Sequence, residues 1–254
     1  MIIDNFMFFN ELDLLEIRLN ELCDVVDQFV LIESTRTHTS KKKRLIFDEN
    51  KNLFSGFNIK HIIVDYFPDS DPWEMERNQR IAGLEYVKGL GLDTNDVVLF
   101  SDIDEIFKAE SVKKYAKTEG WKIACADMYL FYYYMNCFKV NNAWFHPRWV
   151  KGDALESKVI RCSMPDISFD NCGWHFSFLG DIKEKLSAFA HTEFNQPPFN
   201  TDEYIEDRKE NLKSLFDDVT EFVILENFEY LPVYVQKNMD RFSKYICKKK
   251  ERAS

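Results

Sequence analysis

The order of strand and helix signals across residues 1–110 is the feature that most restricts the fold. Ile2 to Phe9 reads as a strand, and Leu12, Leu15, Leu19 and Leu22 then recur at helical spacing after Asn10, a suitable N-cap. Phe29-Val30-Leu31-Ile32 forms a short apolar run ending at Glu33-Ser34, and Ile59 to Val64 forms another beyond a polar, basic loop from Thr35 to Arg44. Pro68 and Pro72 break the chain before a helix with Ile81, Leu84 and Val87 on its buried face, which stops at Gly89-Leu90-Gly91. Asp96 to Phe100 is then a continuous apolar strand. Strands alternating with helices predict an α/β fold: a mostly parallel central sheet flanked by helices.

The second half changes character. Ala124 to Phe138 is dense in Tyr and Phe; Trp144 to Val150, Lys158 to Cys162 and Asn171 to Phe178 read as strands; helices are expected at Asp181 to Ala190, Thr201 to Phe216 and Lys237 to Tyr245. No repeat, low-complexity stretch or flexible linker divides the halves. A chain of 254 residues is therefore expected to form a single domain over 1–254.

Composition narrows the partners. With 43 acidic against 33 basic residues the net charge is −10, so no overall field draws the chain to nucleic acid or an anionic membrane. Aromatics make up 15%, which suits sugar faces, nucleobases and plain core packing equally. The six Cys have no CxxC spacing and read as reduced thiols. No window approaches a membrane span and the first residues do not read as a signal peptide, so the expected location is cytoplasmic.

The sharpest chemical signal is Phe100-Ser101-Asp102-Ile103-Asp104-Glu105-Ile106, acids set at the end of a buried strand. Ligands of open α/β sheets collect outside the carboxyl ends of strands. Two carboxylates one residue apart can hold a hard divalent cation that also takes diphosphate oxygens; the plainer account is a turn with solvated acids. Asp104 is the better candidate for direct ligation, and Asp102 for a ribose or a metal-bound water. Arg77 and Arg80 lie on one helix face and suit a diphosphate, or else pair with Glu74 and Glu76. Arg36, His38 and Lys41 to Lys43 are further candidates for phosphate contacts. In Cys172-Gly173-Trp174-His175-Phe176-Ser177, a Gly beside a Trp lets a flat ligand approach the backbone and the indole offers a sugar-binding face. His175 is a candidate third metal ligand; a buried structural His is the commoner case.

In this order the pieces resemble glycosyltransferase family 17. The similarity is carried by Phe9-Asn10-Glu11-Leu12-Asp13-Leu14-Leu15-Glu16-Ile17-Arg18-Leu19-Asn20-Glu21-Leu22, Phe29 to Ser34, Val98 to Ile106 and Gly173 to Ser177, and more weakly by Arg77 to Arg80 and Ser187 to Phe194. The resemblance implies a GT-A type nucleotide-sugar-binding fold, with residues 1–110 as the nucleotide-sugar half and 111–254 as the acceptor half. It implies a UDP-sugar donor, UDP-GlcNAc by family analogy, a glycan acceptor, inversion at the anomeric carbon, and Mn²⁺ or Mg²⁺ at Asp102 and Asp104. Glu33 would then border the nucleotide, and Trp174 and His175 the junction of donor and acceptor. Inversion needs a base for the acceptor hydroxyl, for which Asp181 and Glu193 are the first candidates and Asp153 and Asp170 weaker ones, Asp181 being equally readable as an ordinary N-cap. A nucleotide-sugar hydrolase on the same fold and a non-catalytic carbohydrate-binding protein are the alternatives.

Overall fold

The computed structural model describes residues 1–155 and 160–248. Four parallel strands build its first half: β1 (Ile2–Phe8), β2 (Gln28–Ser34), β3 (Ile59–Val64) and β4 (Val97–Asp102), in the spatial order β3-β2-β1-β4. Between them run α1 (Leu12–Leu22), the short α2 (Ile46–Asn50) and α3 (Pro72–Lys88). Alternation along β1 serves two cores. Ile3 packs with Val30, Ile32, Leu84 and Val87 beneath α3, whereas Phe6 and Phe8 pack with Leu14, Leu15 and Leu19 of α1. Helix α3 starts where Asp71 accepts the backbone N–H groups of Trp73 and Glu74 at 3.0 and 3.1 Å, with Pro72 in the first turn.

The second half extends the same sheet to ten strands and mixes its directions. The short β5 (Glu105–Phe107) leads to α4 (Ala109–Tyr115), then β6 (Ile123–Tyr132), β7 (Cys137–Trp144), β8 (Arg148–Lys151) and β9 (Ile167–Ser177). Strand β8 is antiparallel to both β4 and β6, and β9 runs parallel to β6 and antiparallel to β5. The chain closes with α5 (Ile182–Ala188), α6 (Asp202–Glu210), β10 (Phe222–Ile224), α7 (Val233–Lys237) and α8 (Met239–Phe242). The expected α/β architecture is present, parallel in the first half and mixed in the second.

Several local expectations are corrected. Helix α1 is preceded by Glu11, not capped by Asn10; the Glu11 carboxylate turns back to accept the N–H groups of Phe9 and Asn10 at 3.2 and 2.9 Å. Of the strand expected at Lys158 to Cys162, Lys158 and Val159 lie outside the described residues, and Ile160–Cys162 form a single 3-10 turn. The helix expected to reach Phe216 ends at Glu210, because Leu212 turns to a left-handed φ of 50°.

Candidate active site

Where β1 connects to one side of the sheet and β4 stands on the other, the strand order reverses, and a crevice opens at their carboxyl ends. A cleft of ≈ 890 Å³ lies there, lined from both halves of the chain by Phe8, Glu11, Arg36, His38, Arg80, Asp102, Asp104, Trp144, Arg161, His175 and Lys185 among others.

The turn from β4 to β5 is pinned at both ends. The Asp102 N–H donates to Glu105 Oε2 at 2.6 Å, and Arg18 Nη1 donates to the carbonyl oxygens of Asp102 and Glu105 at 2.8 and 2.9 Å. Arg18 is itself fully buried, with Nε and Nη2 bonded to Asp4 at 2.7 and 2.5 Å and Nη2 also to Ser101 Oγ. Strand β9 fixes the far side: Phe176 N–H donates to the Asp104 carbonyl at 2.8 Å, and Glu105 sits opposite His175. The two carboxylates of the Asp-x-Asp turn therefore face the cleft from a rigid mount.

Each carboxylate already meets cations. Asp102 is bonded by Arg80 at 2.8 and 3.3 Å and faces Arg161 at 3.4 Å. Asp104 Oδ2 accepts from Lys185 Nζ at 2.6 Å and stands 3.6 Å from His175 Nε2. Burial by itself would raise both aspartates; Arg161 and Arg80 around Asp102, and Lys185 and His175 around Asp104, more than reverse it and hold both well below the usual carboxylate range. Arg161 also bonds the buried Glu105 carboxylate, which takes the Trp144 indole N–H as well. The Trp144 ring packs on His175 and His146, centroids 4.2 and 4.4 Å apart.

The residues singled out from sequence fall into two groups. Asp102, Asp104, His175, Arg80 and Arg77 line the cleft, although Arg77 is half exposed and bonded to Glu74 at 2.6 Å. Glu33, Trp174, Asp181 and Glu193 do not line it. Glu33 is buried behind the loop after β2, taken up by Lys43 at 3.3 Å, the Phe47 N–H at 3.2 Å and His61 at 3.1 Å. Trp174 points to the opposite face of β9 from His175, into the core, with its indole N–H on the Tyr230 carbonyl at 2.6 Å. Asp181 caps α5, accepting the Glu184 N–H at 2.9 Å, and the exposed Glu193 bonds His191 at 2.7 Å. What approaches Gly173 is the backbone of β5 and not a ligand: a Cβ there would stand 2.0 Å from the Ile106 carbonyl oxygen.

Sequence reasoning missed Arg18, Trp144, Arg161 and Lys185. Lys185 was legible only as a helix residue; it reaches Asp104 because the left-handed Phe178 and Gly180, at φ 55° and 114°, turn the chain from β9 back across the cleft into α5.

An α/β crevice with paired carboxylates and fixed cations at a strand end defines a class of proteins that handle anionic, phosphate-bearing ligands. The model of "Glycosyltransferase family 17" matches residues 1–222, and the chain belongs to that family of glycosyltransferases. It is 32% identical to the human beta-1,4-mannosyl-glycoprotein 4-beta-N-acetylglucosaminyltransferase over 44% of this chain and 23% of the human protein. The rat protein of the same name is also 32% identical, over 44% of this chain and 22% of its own length. The match thus spans less than a quarter of these relatives. Among solved structures, glucosyl-3-phosphoglycerate synthase from Mycobacterium tuberculosis, in complex with Mn²⁺, UDP and phosphoglyceric acid, aligns at a TM-score of 0.42 and 11% identity over 93% of this chain and 91% of its own. HddC from Yersinia pseudotuberculosis aligns at 0.41 and 8% identity over 67% and 89%. Among the described residues, no helix is long and apolar enough to cross a membrane.

Proposed function

We propose that this family member is a metal-dependent, inverting GT-A glycosyltransferase that moves a sugar from a UDP-sugar to a glycan hydroxyl. N-acetylglucosamine is the sugar named for the human and rat relatives. The observation that carries the reading is the Asp102-x-Asp104 turn, mounted at the end of a buried strand inside a cleft ringed by Arg80, Arg161 and Lys185.

The donor set fits a hard divalent cation, Mn²⁺ or Mg²⁺. Asp102 and Asp104 offer carboxylate oxygens, and His175 Nε2 faces the same Asp104 oxygen from 3.6 Å. Mg²⁺ and Mn²⁺ are commonly held by one or two carboxylates and complete their shell with substrate phosphate and water. Bound there, the cation would neutralise charge growing on the departing diphosphate.

The chain's own groups supply the rest. Arg80 and Arg161 are each tied to a second carboxylate, Glu76 and Glu105, which holds their guanidinium groups beside Asp102, where a diphosphate would lie. Trp144, in place of Trp174, lines the cleft, as do Tyr132, Phe178 and Phe216, and such aromatic side chains suit the apolar faces of sugars. The acceptor's proton needs a carboxylate in the cleft. Besides Asp102 and Asp104, the lining carboxylates among the described residues are Glu11, Glu76 and Asp217. Glu76 is spent on Arg80, and Asp217 on a turn with Val219 and Thr220, which lowers its pKa against the opposing effect of burial. Glu11 is the better proton acceptor: the N–H groups of Phe9 and Asn10 both fall on its Oε2, and burial raises its pKa even against the nearby Lys185.

The reading is tested on Asp104→Ala. Its UDP affinity in the presence of Mn²⁺, followed by calorimetry, should drop to the metal-free level while thermal unfolding stays cooperative. Undiminished Mn²⁺-supported UDP binding would overturn the assignment.

A further inference from the structure

The two aspartates of the turn are neutralised in different ways. Arg80 and Arg161 on Asp102 are each anchored to another carboxylate, with Arg80 Nη2 2.8 Å from Glu76 and Arg161 Nη2 2.7 Å from Glu105. Lys185 is not. Among the described residues, Asp104 is the one carboxylate within 4.0 Å of its ammonium, 2.6 Å away. The lysine is nonetheless held in place: α5 is seated by Ile182 and Leu186 in the core and capped by Asp181, and Lys185 Nζ lies 5.4 Å from the Phe178 ring centroid. The ammonium therefore covers Asp104 Oδ2, the oxygen that also faces His175 Nε2, and the ion pair it would surrender is that one.

We propose that Lys185 is a resident counter-ion that competes with the divalent cation for Asp104 Oδ2 and is released to the diphosphate when the donor arrives. The inference rests on the metal-dependent reading above. Two cations cannot both bond one carboxylate oxygen at close range without strong mutual repulsion. By linkage, the ammonium weakens metal binding by the same factor that the metal weakens the ion pair. A diphosphate brings the extra negative charge that satisfies both. Metal alone then binds poorly, metal and donor bind cooperatively, and Lys185 makes the cooperativity. Lys185 thus sets the order of binding and meets the donor once it leaves Asp104.

The test titrates Mn²⁺ alone into donor-free protein, reading free Mn²⁺ by electron paramagnetic resonance, and repeats it with UDP present. Lys185→Met keeps the length of the stem and removes the charge. It should bind Mn²⁺ alone about tenfold more tightly than wild type, and UDP should enhance its Mn²⁺ affinity less. Lys185→Arg, which keeps the charge, should stay close to wild type. If wild type binds Mn²⁺ with UDP but Lys185→Met binds Mn²⁺ alone no more tightly, the counter-ion role is overturned and the metal site stands. If Lys185→Arg tightens Mn²⁺ binding as much as Lys185→Met, charge competition is likewise overturned. If neither wild type nor Lys185→Met binds Mn²⁺ even with UDP, both this inference and the metal-dependent reading fall.

Discussion

A guanidinium withdrawn completely from water is tolerated only when its N–H groups find acceptors, and Arg18 finds them in Asp4, Ser101 and the carbonyls of Asp102 and Glu105. Arg18→Met leaves the Asp4 carboxylate buried and unpaired, so urea unfolding should show a loss of about 3–5 kcal/mol, much of it recovered when Asp4→Asn is added. Apart from its place in the family stretch, nothing in the sequence marks this residue, because an Arg beside Ile17 and Leu19 reads as the polar edge of an amphipathic helix. Parity explains the other errors at this scale. Trp174 and His175 are adjacent, so on a strand one of them had to leave the cleft, and the strand's facing is not written in the dipeptide. Glu11, quoted for family resemblance alone, carries a pH prediction. Burial raises its pKa, opposed by Lys185 and reinforced by Asp104, and a base works only when ionised. Activity should therefore fall on the acid side through a pKa above the ordinary 4.5, and Glu11→Gln should cut kcat by roughly 10²- to 10⁴-fold and erase that limb. An unchanged acid limb in Glu11→Gln would remove Glu11 as the base.

At the scale of elements, the site depends on the short pairing of β5 with β9, which sets Glu105 opposite His175 and Phe107 opposite Gly173. The strands meet so closely that any Cβ on Gly173 collides with backbone. Gly173→Ala should push β9 off β5, destabilise the fold by about 1–3 kcal/mol, and weaken Mn²⁺-dependent UDP binding by separating His175 from Asp104. Loss of stability with donor binding intact would show that the pairing serves folding alone. The parallel elements were readable in advance because each carries its own signal: apolar runs for β2 and β4, leucine spacing for α1, Asp71-Pro72 for α3. In the second half the strand expected at Asn171 to Phe178 and the helix at Asp181 to Ala190 are present as β9 and α5, but β5, β8 and β10 are three or four residues long and are held by partners distant in sequence. Arg161 and Lys185 reach the aspartates only through those long-range pairings, so no local motif could announce them.

For the molecule as a whole, a net charge of −10 conceals a local reversal. Among the described residues the cleft is lined by Arg36, Lys43, Arg77, Arg80, Lys139, Arg161 and Lys185 against five carboxylates, an excess of cations that would favour the phosphate-bearing donor proposed above. The same charges tie stability to pH. Asp102 and Asp104 titrate in the fold below the 3.8 of a free aspartate, so the unfolded chain takes up their protons first as pH drops. Their contribution is complete above the unfolded value and is lost as pH falls below it towards the folded values. Lys185→Met removes the main cation on Asp104 and leaves burial, which raises the carboxyl, less opposed. The acid-unfolding midpoint of that variant, followed by circular dichroism from pH 6 downwards, should therefore move to higher pH than wild type, while Arg77→Gln, whose guanidinium is half exposed and paired with Glu74 on its own helix, should leave it in place. Coincident acid transitions in wild type and Lys185→Met would mean that the Asp104 carboxylate draws no folding stability from the ammonium beside it.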